Sequence, residues 1–409
     1  MSDRSRQAIG FVLIAGAALQ VWLWSQQVVS GDQLALLEPA RAFADDGTLA
    51  PFAKRMSGGG KVPGALLPLL VGLPLAVWND DRAPAILMGL SQWAAVAILA
   101  SILARRLGPK MTAAYLAVYW LSPWRIYHSG FLWEPGYLLL PAAVHFLCCE
   151  RLRHERGRAA SAGLGAVLAC TMQLHGSFLV LLAATAWLAW KRRLRLHVLA
   201  ATAGAGLGAL TLVPTALAWL DGDLPRIAPE RDVAMSAPLL AGGNVLKTGA
   251  YWLRLGSPDI GRRLRQVADP ASAHIDVAPP TAPGPLGAAL VRAIAGLALL
   301  GVAISAFASW RYLRAPPGGQ AAEVRDYSSA CLIGALVAAF VSPVPIQGWH
   351  LIVVLHAACL PTAAWLVEAF ASHSGRRRAL GAAFLVVQCA ASIAIAIGHP
   401  MYAGGGGVP

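Results

Sequence analysis

Charge is scarce in this sequence. Asp, Glu, Lys and Arg make up 13% of its 409 residues, while 57% are hydrophobic; a soluble domain carries roughly 25% charge. So little polar material cannot cover a water-facing surface of this size, and a soluble globular enzyme is excluded. Cysteine is scarce too. Cys148, Cys149, Cys170, Cys331, Cys359 and Cys389 all lie inside apolar runs, without metal-ligand spacing in a loop. They read as small packing residues and imply neither disulfides nor zinc. Ten-residue alternating segments are missing, which argues against a transmembrane barrel. No clear A-x-A cleavage site follows the first apolar run, so that run reads as an uncleaved span.

What is present is a succession of apolar runs of membrane-crossing length. The expected fold class is all-α, a polytopic transmembrane helical bundle of about 11 spans, with juxtamembrane helices in the first outer loop. Basic residues fall in short clusters between the runs: "RRLGPK" at 105–110, "RLRHERGR" at 151–158, "KRRLR" at 191–195, "RYLR" at 311–314 and "GRRR" at 375–378. Segments on that side hold 19 Lys and Arg against 6 acids, and those on the other side 13 against 14. The net charge of +13 is therefore a positive-inside signal and does not point to nucleic acid. It predicts a multi-pass protein with its N-terminus in the cytoplasm; a bacterial inner membrane is the expected location.

Alternation from that start places spans near 8–28, 84–104, 111–127, 133–149, a hairpin over 160–190, 196–219, 286–310, 327–343, 350–371 and 379–398. The run 64–78 is short and holds Pro68 and Pro74; crossing there would invert every later cluster, so it reads as a helix at the outer interface. Three modules follow: 1–219 with a first outer loop at 29–83, an outer loop at 220–285, and C-terminal spans over 286–409. Trp78, Trp120, Trp124, Trp190, Trp219, Trp310 and Trp349 fall near run ends, as an interfacial belt requires.

The polar residues that are not basic gather on the outer side. They lie in "SGDQLALLEPARAFADDG", in "SPWRIYHSGFLWEPG" at 122–136, in "QLHGS" at 173–177 and in "SPVPIQGWH" at 342–350. Turns between spans can converge on one cleft. Asp32 and Glu134 would supply carboxylates, Lys61 and Arg125 cations, and His128, His175 and His350 imidazoles, with Gln173 and Trp349 beside them. Carboxylates suit general-base work and cations suit an anionic leaving group. Each has a plainer reading. Asp32 suits a helix N-cap, Glu134 the start of an apolar helix, and Trp349 and His350 an interfacial anchor. Residues 244–257, "NVLKTGAYWLRLGS", have the pattern of an amphipathic helix.

In order and spacing these stretches resemble the GT-C membrane glycosyltransferases, in particular the branch of protein O-mannosyltransferases and aminoarabinose transferases. The matching segments are "SGDQLALLEPARAFADDG", "GGGKVPGALLPLLVGLPL" with "DDRAPAILMGL", "LSPWRIYHSGFLWEPGYLLLPA" and "CTMQLHGSFLVLL", within about the first 190 residues. The resemblance implies transfer of a sugar from a polyprenyl-phosphate donor to an envelope glycan, lipid or protein, with membrane lipids as surroundings. It implies Asp32 as catalytic base, although many relatives have Asp-Glu where this chain has Asp32-Gln33. Lys61-Val62-Pro63 is similar to a Lys-Pro-Pro stretch whose lysine faces the lipid phosphate. Relatives with an acid before that lysine hold a metal; Gly60 stands here, so no cofactor is indicated and a divalent metal is only an option. Glu134-Pro135 resembles a second acidic position, and His175-Gly176 takes the place of a basic residue that is often lysine. The competing expectation is a transporter or flippase of a lipid-linked glycan, but no repeated halves are visible.

Overall fold

The computed structural model describes residues 3–25, 32–55, 61–222, 237–269, 284–315 and 319–398. The fold is an all-α bundle. Sixteen α-helices follow in chain order: α1 Asp3–Ser25, α2 Asp32–Asp46, α3 Leu66–Val77, α4 Arg82–Trp120, α5 Pro123–Tyr127, α6 Leu139–His154, α7 Arg158–Leu174, α8 Phe178–Trp190, α9 Val198–Gly208, α10 Val213–Leu220, α11 Ala237–Leu255, α12 Arg262–Ala268, α13 Pro285–Arg314, α14 Gly319–Val341, α15 Leu355–Ala371 and α16 Gly375–Gly398. The described sheet is one antiparallel ribbon in the first loop, β1 Phe52–Arg55 with β2 Lys61–Pro63.

The segments expected to span overlap helices, but 111–127 and 196–219 each run across a break between two helices, and 133–149 and 350–371 begin in 3-10 turns. Among the described residues six helices are long and apolar enough to cross a membrane, or seven if the bent pair α9 and α10 counts as one. The long α4 contains the expected second span and the first part of the third, which continues through a turn into α5. It breaks at Gly108, whose φ of 78° is left-handed, and Pro109 follows. Glycine past the end of one helix and proline at the start of the next is a favourable junction. α4 stops at Trp120 because Ser122 precedes Pro123, which drives it out of the helical region to ψ 131°. The expected hairpin turns at His175–Ser177, between α7 and α8. α3 is the short apolar helix foreseen over 64–78.

The basic clusters meet at one end of the bundle. Arg106 donates to Glu150 at 2.6 Å and stands 3.9 Å from Glu323, which His154 also approaches at 3.3 Å. Arg153 and Arg193 share Asp326 at 3.5 and 3.2 Å. Such pairs contribute at most about 1 kcal/mol each, but by sharing Glu323 and Asp326 they tie α4, α6 and the α8 exit to α14. Elsewhere the bundle closes on small residues. A Cβ at Gly165 would lie 1.9 Å from the Ala201 carbonyl oxygen, and one at Gly204 1.9 Å from that of Ala162, so α7 and α9 pack backbone to backbone. Leu207, Trp219, Leu286, Phe340, Val386 and Ile397 are exposed, as a lipid-facing surface requires. Segment 220–285 contributes α11, which packs on α13, α14 and α15, and α12, which packs on α13 and α16; residues 223–236 and 270–283 of it, and the C-terminal residues after 398, lie outside the described residues.

Candidate active site

The turns opposite the ion-paired end converge. α2 begins at Asp32 and is fixed by Leu36, Leu37 and Ala40, which are buried with Leu67, Val71 and Leu75 of α3 in one core. Glu134 opens a 3-10 turn, Glu134–Leu138, that leads into α6; Trp133 before it is extended and Pro135 sits at its first positions. A carboxylate at such a start faces the positive end of the helix dipole. These two acids were legible in the sequence. What joins them was not. Lys54 Nζ lies 2.7 Å from Glu134 Oε1 and 3.2 Å from Asp32 Oδ2.

The three side chains differ in exposure. Asp32 is 59% exposed, Lys54 12% and Glu134 6%, so Asp32 stands at the mouth and Glu134 at the floor. Burial by itself would lower Lys54, but the charges of Glu134 and Asp32 and their hydrogen bonds outweigh it, and its pKa is raised. Burial raises Glu134 above the ordinary carboxylate value, with Lys54 pulling the other way. Glu134 Oε2 finds no partner beyond its own residue among the described residues.

Lys54 comes from the ribbon rather than from the stretch expected to supply the cation. The register pairs Arg55 with Lys61, and Lys61 is exposed on β2, away from the carboxylates' bridge. The ribbon is anchored at its base. Gly64 N–H donates to the Pro51 carbonyl at 3.2 Å and to Thr215 Oγ1 at 2.8 Å, and Thr215 Oγ1 also donates to Pro51. Gly64 has φ +96°, and a Cβ there would meet Gln173 Oε1 at 2.2 Å. Gln173 is fully buried, donates to the Gly208 carbonyl at 2.8 Å and accepts from Thr211 Oγ1 at 2.7 Å. It therefore braces α7 against the α9 end beneath the ribbon. Gly64→Ala is expected to cost about 1–3 kcal/mol through overpacking and left-handed strain. Thermal unfolding of the solubilised protein measures this, and adding Gln173→Ala should recover part of the loss.

His175 and His350 stand together, ring centroids 5.5 Å apart. Ser177 N–H donates to His175 Nδ1 at 3.1 Å, and Ser177 Oγ donates to the His350 carbonyl at 2.6 Å. Part of the His175 residue is exposed, yet burial first, then His350 and Lys54, holds its pKa at about 3. It is neutral at physiological pH and offers hydrogen bonds rather than the positive charge of a lysine. The sign follows: with 6.5 in the unfolded chain and about 3 here, His175 removes stability as pH falls from the unfolded value toward 3. His175→Gln should leave the shape of the activity–pH profile between about 6 and 8 unchanged, because no charge on His175 titrates there. An inflection lost on substitution would contradict this.

An aromatic wall runs from this centre. His128 stacks between Trp124 and Trp133 at 6.2 and 5.5 Å, and Trp133 meets Trp349 at 5.6 Å. His128 Nδ1 bonds the Trp124 carbonyl at 2.8 Å, and burial holds its pKa near 3. Beyond Trp349 opens a cavity of about 370 Å³ lined by Tyr251, Arg254, Arg262, Arg263, Gln347 and His128 among others. Arg254 and Arg262 also line an adjoining groove of about 1180 Å³ with Arg265, Arg292, Leu253, Leu299 and Val302. Its lining is largely apolar, with four arginines against Asp259 and Asp269, a net positive combination suited to an amphipathic anion. Arg263 lies over the Tyr127 ring at 5.0 Å, and Arg254 bonds Asp259 at 2.7 Å. These arginines were missed in the sequence. The signal was there: "GRRLR" at 261–265 is a basic run on the side where topology asks for none.

Arg125 is not brought to the centre. It is fully buried, lies 3.7 Å from the Trp120 ring, and donates to the Trp120 carbonyl at 2.6 Å and to the Gly16 carbonyl at 3.2 Å. It ties α1 to the end of α4.

No family model and no curated protein matches this chain. Among solved structures it is similar to ArnT from Cupriavidus metallidurans bound to undecaprenyl phosphate, with a TM-score of 0.53 and 13% identity over 96% of this chain and 78% of that one. It is likewise similar to the same protein in the apo state, with a TM-score of 0.52 and 13% identity over 97% and 78%. At this identity the likeness is one of fold, an all-α membrane-protein bundle shared over most of both chains.

Proposed function

We propose that this chain is a membrane glycosyltransferase that moves a sugar from a polyprenyl-phosphate donor to a cell-envelope glycan, lipid or protein. The reaction takes place at the outer face of the bacterial inner membrane, with the N-terminus in the cytoplasm. The observation that carries the reading is the joining of Asp32 and Glu134 through Lys54 beside an arginine-lined cavity that shares its aromatic wall. The solved neighbour bound to undecaprenyl phosphate supports a donor of that class.

The division of labour follows from charge. The donor's phosphate sits among Arg254, Arg262 and Arg263, and its isoprenoid chain lies along Leu253, Leu299 and Val302. Trp349 and Trp133 flank the sugar. The bond between the anomeric carbon and the phosphate oxygen breaks, and both electrons leave with the phosphate, which needs cations more than a general acid. The acceptor oxygen bonds the same carbon from the opposite side and its proton passes to Asp32. One displacement inverts the anomeric carbon. Magnetic resonance of the product made by the purified protein tests this: inversion is expected, and retention would overturn the single displacement.

A further inference from the structure

We propose that Lys54 is a resident cation standing where a divalent metal would otherwise bridge Asp32 and Glu134, so that this centre works without a metal. The inference takes the Asp32–Glu134 centre of the proposed transfer as its premise. The family resemblance raises a metal only beside Lys61, where Gly60 stands in place of an acid, and the residues between Asp32 and Glu134 do not fit one either. The point where the two carboxylates converge is occupied by the Lys54 ammonium, 2.7 Å from Glu134 and 3.2 Å from Asp32.

Three observations favour a resident cation over a side chain that merely leans in. Glu134 is 6% exposed, and a carboxylate so enclosed needs a positive partner or must take up a proton. Lys54 is delivered by a strand rather than a free loop, since β1 pairs with β2 and the ribbon's base is fastened through Pro51, Gly64 and Thr215. The neighbouring imidazole, His175, feels the Lys54 charge, so an added dication would meet repulsion from the ammonium.

Removing the ammonium should expose the site it fills. The two carboxylates that now converge on the ammonium would then be left as an oxygen pair for Mn²⁺, which accepts oxygen ligands and keeps waters on its open positions. Lys54→Ala in the full chain, reconstituted in lipid nanodiscs, is therefore expected to gain a stoichiometric Mn²⁺ site. Its affinity should be about tenfold or more above anything wild type shows, equivalent to about 1.4 kcal/mol, and Glu134→Gln added to Lys54→Ala should abolish it. Electron paramagnetic resonance reads bound Mn²⁺ without turnover. The melting temperature of Lys54→Ala should rise with added Mn²⁺, as a ligand selective for the folded state requires, and that of wild type should not. No Glu134-dependent Mn²⁺ in Lys54→Ala would overturn the proposal. So would a stoichiometric, Glu134-dependent Mn²⁺ in wild type, a measurement that stands even if Lys54→Ala does not fold. Because neither readout uses the sugar donor, failure here leaves the transfer reaction to be judged separately, and the reverse also holds.

Discussion

Asp32→Asn is expected to lower kcat for sugar transfer by about 10²- to 10⁴-fold, the usual contribution of a positioned base, while the donor KM stays close to that of wild type. The argument is one of place and shape. Asp32 is 59% exposed and points at Lys54 from the mouth of the site, where an acceptor hydroxyl arrives from solvent, whereas Glu134 is enclosed beneath it. Asparagine keeps the size and one accepting oxygen, so the contact with Lys54 and the start of α2 survive, and only proton affinity is lost. A half-exposed pair contributes at most about 1 kcal/mol to folding, so unfolding of the variant should hardly shift. Loss of activity with unchanged stability and unchanged KM is the signature. Full activity in Asp32→Asn would place the base elsewhere.

The second large effect belongs to the arginines. Hydrogen bonds to charged groups contribute about 1.5–3 kcal/mol each, so the joint replacement Arg262→Ala and Arg263→Ala should weaken donor binding by about 10²-fold or more. Arg262 lines both the cavity and the adjoining groove, and Arg263 lies against Tyr127 at the cavity edge. The loss should appear in the donor KM and in direct binding of polyprenyl phosphate, and it should be larger at low salt than at high salt. Unchanged donor affinity would remove the phosphate from this cavity. The two substitutions thus separate along kinetic lines, one in kcat and the other in KM.

Sequence and structure part company where a role depends on long-range pairing. The spans were legible because lipid imposes apolar runs and basic clusters on the chain itself. Asp32 and Glu134 were legible because each stands at the start of an element that follows an apolar run. The cation between them was not. Lys54 and Lys61 are both basic residues in one loop, and only the ribbon register, which sets Arg55 opposite Lys61, turns Lys54 inward and leaves Lys61 exposed. Arg125 looked like a cation beside a span end, yet the Gly16 carbonyl on α1, far away in sequence, accepts its hydrogen bond and buries it. Gln173 likewise sits in a polar turn by sequence, but the close approach of Gly64 makes it a brace. His175 stood in the place of a basic residue, and burial beside His350 and Lys54 lowers its pKa so that it does not act as one. The arginines of α12 were hidden because 220–285 showed no motif, although a basic run on that side was itself the departure from the topology rule.

The most direct test of the account follows the fate of the lipid-linked sugar. Purified protein in nanodiscs is given a panel of polyprenyl-phosphate sugars, labelled in the sugar, together with an envelope fraction as acceptor. The account predicts that with a suitable donor the label leaves the lipid and becomes bound to acceptor, that polyprenyl phosphate appears in equal amount, and that Asp32→Asn stops both. If instead the sugar stays joined to its lipid across the whole panel while the same protein, in sealed vesicles, moves that lipid between leaflets, the chain is a carrier of the lipid-linked sugar and the transferase reading is contradicted.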